Sequence, residues 1–119
     1  MKRYNIIQEK SYAFALEILR TAKSLRAESA DRVLINQLVR SGTSIGANVE
    51  EAIGAQSDKD FLHKISISYK EARETKYWIS LLKDVEEIGV SKAENLLEKC
   101  EELLRILGSI QLKLKSRNS

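Results

Sequence analysis

From Ile7 to Leu114 the apolar residues of this chain return at steps of three and four, interrupted at only three short places. That spacing stacks one row of side chains on one face of a helix. Proline is absent, so no residue forbids long helices, and Ala, Leu, Ile, Glu, Lys and Arg dominate the composition. The first row reads Ile7, Ser11, Phe14, Ile18, Ala22 and Leu25, with a second, adjacent row of Tyr12, Ala15, Leu16 and Leu19. The next helix carries Leu34, Leu38, Ser41, Ile45, Asn48 and Ala52, and the third Phe61, Ile65, Ser68, Ala72, Thr75, Ile79 and Leu82. The last carries Ala93, Leu97, Cys100, Leu104, Leu107, Gln111 and Leu114, with Leu96, Leu103 and Ile110 alongside. Four amphipathic helices joined by short turns become antiparallel neighbours. The expectation is all-α: an up-down-up-down four-helix bundle, one domain over residues 1–119, with helices at about 6–26, 30–53, 58–87 and 92–114.

The breaks carry their own signals. Ser29 or Asp31 suits an N-cap, and Ser57 with Asp60 resembles a capping box. Gly54 suits a left-handed helix end. Gly89 with Val90 suits a Schellman stop, and Ser91 with Glu94 suits a capping box for the last helix.

The run from Gln37 to Phe61 is the most unusual stretch, packing Ser41, Gly42, Ser44, Gly46 and Ala47 into seven residues. Each glycine inside a helix costs about 1 kcal/mol relative to alanine. Gly42 and Gly46 therefore need a compensating reason, and close approach of a neighbouring helix supplies one. A phosphate loop does not fit, because no Gly-Lys-Ser/Thr follows and no strand precedes.

Folding the second helix back on the third pairs residues whose numbers sum to about 111. Arg40 then faces Glu71, Gln37 faces Glu74 and Asn48 faces His63. Such pairs fix register more than they add stability.

Catalytic patterns are thin. The single cysteine, Cys100, sits at helical spacing between leucines and reads as core. Asp60 and His63 supply only half of a di-metal helical pattern, and no second histidine exists. No enzyme chemistry, metal or cofactor is expected. No apolar run is long enough to span a bilayer, and the N-terminus lacks the apolar centre of a signal peptide, so the cytoplasm is the expected compartment and no membrane is expected as a partner.

The formal net charge is +3. In the expected topology Lys2, Arg3, Lys113, Lys115 and Arg117 share one end. Lys70, Arg73, Lys76 and Lys83 run along the third helix with Tyr77 among them. Such clusters suit phosphates, although charge alone leaves an ordinary solvated face equally open. The surplus apolar residues of the first helix, with Tyr77, Trp78 and Leu81, suggest a partner surface or an oligomer.

The run QLVRSGTSIGANVEEAIGAQSDKDF followed by KISISYKEARETKYWISLL resembles the four-helix-bundle family of 23S rRNA intervening sequences. The residues that carry the resemblance include Gln37, Arg40, Ser41, Ser44, Asn48, Glu51, Ser57, Asp60, Phe61, Lys64, Glu71, Glu74, Thr75, Tyr77 and Trp78, with Ile79 in place of the usual leucine. The resemblance extends to the accessory variability determinants of diversity-generating retroelements, which form homopentamers of such bundles and associate with a reverse transcriptase and nucleic acid. It implies a homo-oligomer, a pentamer, with basic surfaces available to RNA. The surplus apolar and aromatic surface motivates an alternative, a protein-interaction scaffold or accessory subunit for a nucleic-acid-processing enzyme such as a reverse transcriptase.

Overall fold

The computed structural model describes residues 4–28 and 30–118. It holds four helices, α1 (Asn5–Ala27), α2 (Arg32–Ile53), α3 (Asp58–Asp84) and α4 (Val90–Asn118), in a rod of 48 × 22 × 21 Å. Sequential neighbours pack most closely, and α1 and α4 close the bundle through a looser seam. This is the expected antiparallel bundle.

Every inner residue expected of α1 and α3 is buried, with Thr21 added to the α1 face. The α2 row is rotated slightly from expectation. Ile35 and Val49 enter the core, whereas Leu34 and Asn48 sit at its margin. In α4, Leu96 and Leu103 are interior, while Leu97 and Gln111 are half-buried.

The glycines of α2 explain the rotation. A Cβ at Gly42 would stand 2.9 Å from Ile18 Cγ1, and one at Gly46 would stand 3.3 Å from the Ser11 carbonyl oxygen. The backbone of α2 thus approaches α1 where side chains are missing, as the spacing predicts. On its other flank α2 meets α3 through hydroxyls. Ser68 donates to the Ile45 carbonyl at 2.8 Å, and the Thr75 hydroxyl lies 2.9 Å from Ser41 Oγ.

Three turn expectations change. Gly54 caps α2 with a right-handed backbone (φ −88°), because the Ala55 N–H bonds the Ala52 carbonyl and tightens the last turn. Glu86, not Gly89, takes the left-handed position after α3, at φ 60°. The Glu87 N–H reaches the Leu82 carbonyl at 2.9 Å and the Glu86 N–H reaches Lys83 at 3.1 Å, the two bonds of a Schellman motif. Buried Ile88 seals it, so α3 stops at Asp84 rather than Glu87. Gly89 instead provides the first carbonyl of α4, accepting from the Ala93 N–H, which places Ser91 inside the helix rather than at its cap. Of the two N-cap candidates for α2, Ser29 lies outside the described residues and Asp31 forms the cap, accepting from the Val33 and Leu34 N–H groups, while Ser57 accepts from the Asp60 N–H as expected.

Candidate nucleic-acid interface

The motif residues of α2 and α3 form one polar network along their shared seam. Arg40 donates to Glu71 at 3.2 Å and also to Glu74, while its Nε donates to Gln37 at 3.0 Å. Glu74 in turn accepts from the Trp78 indole at 2.9 Å. The expected Arg40–Glu71 pair is present. The expected Gln37–Glu74 pair is replaced, because the longer Arg40 fork spans both acids and takes Gln37 as its own acceptor. A guanidinium with donors on three sides does this where an ammonium cannot. Asn48 turns to the Ser44 carbonyl at 2.8 Å, rather than to His63. Glu51 is held by Lys64 at 2.8 Å, whose ammonium is kept charged above its ordinary range by that bond. Ser44 bonds back to the Arg40 carbonyl at 2.6 Å. Within this seam the Arg40 cluster and the Glu51–Lys64 pair each cross from α2 to α3, the geometry expected of residues that fix register.

Cys100 is fully buried. Burial pushes its thiol up to about 12, with the charge of Glu101 adding to the effect, and its Sγ lies 3.2 Å from the Ala72 carbonyl. A thiol so protonated is a poor nucleophile. Among the described residues no three His, Cys, Asp or Glu side chains converge as a metal site would require. No described helix is long and apolar enough to cross a membrane.

The basic residues divide into two groups around α4. Tyr4 stacks near Phe61 (centroids 4.8 Å apart), and Tyr4 shares a groove with Leu114 and Arg117. The start of α1, the α2–α3 turn and the end of α4 therefore meet at one end, as the topology predicts. Lys2 and Arg3 lie outside the described residues. Lys113 and Arg117, four apart, line the groove facing α1. Lys115 follows the opposite flank. It lies four and seven residues after Gln111 and Gly108, which touch α3 at Ser66 and Tyr69.

On that α3–α4 flank Lys76 pairs with Glu101 at 2.5 Å. The Lys76 hydrogen bond holds the Glu101 carboxyl below its usual range, and the Arg105 and Arg73 charges add to it. Three cations thus share one carboxylate. Lys70 and Arg73 are exposed on α3, one turn apart, and Arg105 is exposed on α4. No Asp or Glu occurs from Leu103 to Ser119 or from Phe61 to Lys70. The lower half of this face is therefore basic and free of carboxylates along both helices. Arg105 is not among the α4 cations that the sequence singles out, which are Lys113, Lys115 and Arg117. The absence of acids after Glu102 was the available signal.

The fold and its interlocked α2–α3 seam define a small antiparallel helical bundle with one basic flank. A profile of the 23S rRNA-intervening sequence protein family matches residues 3–109, and the chain belongs to that family. A solved structure from Bacteroides thetaiotaomicron, described as a protein of unknown function from the S23 ribosomal protein family, is 42% identical. The match covers 88% of this chain and 97% of that one, with a TM-score of 0.86. Neither description names an enzyme activity. The comparison with curated proteins returned no match.

Proposed function

We propose that this protein is a non-enzymatic, oligomeric RNA-binding bundle that holds phosphates on the α3–α4 flank. The observation that carries the reading is the gathering of Arg73, Lys76 and Arg105 about the single carboxylate of Glu101, continued by Lys70 and Lys115, with the intervening Glu71 paired to Arg40 of α2. Excess cations on a rigid helical face attract a phosphate backbone and release its counterions. Tyr77 beside this stripe is 57% exposed while its ring meets Trp78 edge-to-face at 5.1 Å, and an unpaired base can stack on it there.

Assembly into a homo-oligomer, a pentamer by family resemblance, draws support from α1. Tyr12 and Leu19, one heptad apart, are 66% and 46% exposed on a face that leaves apolar area uncovered. Assembly multiplies one modest basic flank into several, which a net charge of +3 per chain requires for useful affinity.

The test is binding of a structured RNA, with light scattering of the same sample. Lys70→Ala combined with Arg73→Ala and Arg105→Ala abolishes binding, while Lys92→Ala with Lys99→Ala, on the α1–α4 seam, preserves it. Equal loss in both variants, or loss in neither, contradicts the assignment.

A further inference from the structure

We propose that the groove between the start of α1 and the last three turns of α4 is a docking site for an acidic amphipathic helix from a protein partner. This site shares Arg105 with the α3–α4 flank but is otherwise built from different residues, and it does not rest on the RNA reading. The ion pairs that tie α1 to α4 lie above it, at Lys10–Glu102 and at Glu17 with Lys92 and Lys99. Below them the helices part and leave a groove of 890 Å³.

The chemistry of the groove selects its occupant. Ile106 and Ile110 line it, and Ile6 and Leu112 edge it while 61% and 71% exposed. Its lining has Arg105, Lys113 and Arg117 and, among the described residues, no carboxylate. The α4 wall from Ile106 to Arg117 covers about three helical turns, the span over which a helix presents anchors at i, i+3 or i+4, and i+7. An aliphatic face would fill the floor, and Glu or Asp at its margins would meet the cations. RNA satisfies only half of this. Its phosphates suit the rim, but the aliphatic floor offers no stacking surface, and the Tyr4 ring at its end is engaged with Phe61.

The experiment uses the full-length chain and a fluorescein-labelled designed helix with leucines on one face and glutamates flanking them. A second peptide carries lysines in place of the glutamates. The glutamate peptide binds at least tenfold more tightly than the lysine peptide. Ile6→Asn with Leu112→Gln, at exposed positions where circular dichroism verifies retained folding, weakens it at least tenfold. Lys113→Glu with Arg117→Glu reverses the preference between the peptides. Equal binding of both peptides, or binding that survives Ile6→Asn with Leu112→Gln, overturns the proposal. Displacement of the glutamate peptide by structured RNA that persists after Lys70→Ala with Arg73→Ala overturns it in favour of a phosphate groove. Self-association dissolved by the groove substitutions, with no peptide binding, overturns it in favour of a second copy. Removal of Lys70 and Arg73 leaves peptide binding unchanged, which separates this site from the RNA flank.

Discussion

Ile18 covers Gly42 so closely that the first carbon of any side chain there would stand 2.9 Å from its Cγ1. Ile18 is fully buried and Gly42 is buried beneath it, so the isoleucine has little room to turn aside. Gly42→Ala adds helix propensity worth about 1 kcal/mol and still destabilises the bundle, because overpacking a filled interior costs about 1–3 kcal/mol. Denaturant unfolding measures the difference. A stabilised Gly42→Ala variant would show that α1 yields at this crossing.

Glu86 poses the opposite case. It holds a left-handed backbone that a Cβ disfavours, on the open surface after α3. Glu86→Gly relieves about 1–2 kcal/mol of that strain, partly offset by the greater freedom of glycine in the unfolded chain. The expected net outcome is a small rise in midpoint with an unchanged denaturant slope.

The α1–α4 seam depends on ionisation of Glu17. Burial works against its charge, but the hydrogen bond from Lys99 and the nearby Lys92 outweigh it and leave the carboxyl below its ordinary range. A depressed folded-state value means stability that is present above the unfolded carboxylate value, about 4.3, and lost as pH falls through the folded one. Glu17→Gln removes that part of the acid sensitivity. The seam is partly exposed, so the expected effect at neutral pH is at most about 1 kcal/mol. Melting curves of both proteins between pH 3 and 7 converge at the acid end.

Cys100 provides a probe of global opening. With its thiol pushed up to about 12 and fully buried, native protein resists iodoacetamide at pH 8 and reacts fully in denaturant. Rapid native labelling would place Cys100 outside the core.

The sequence spoke most clearly where one residue type repeats at one spacing. The α3 row from Phe61 to Leu82 was legible in full because each step lands an apolar or small residue on the same face. The α2 row was less so, because a buried glycine such as Gly42 carries no hydropathy and does not mark its face. The Arg40–Glu71 pair followed from antiparallel register, but the capture of Glu74 by the same guanidinium required knowing the reach of a long side chain. The stop at Glu86 was hidden because glutamate carries no turn signature. The division of the α4 cations, with Lys113 and Arg117 on the groove and Lys115 on the α3 flank, depends on a few tens of degrees about a helix axis. A reading of which end they share cannot resolve that.

The most direct test of the RNA reading is the salt dependence of binding to a structured RNA. Lys70, Arg73, Arg105 and Lys115 on one flank predict a slope of log K against log salt of about −3.6 per chain engaged. Removing Arg73 and Arg105 together makes the slope shallower by about 2. A slope near zero, or one that the double substitution leaves unchanged, would contradict phosphate binding on the α3–α4 flank.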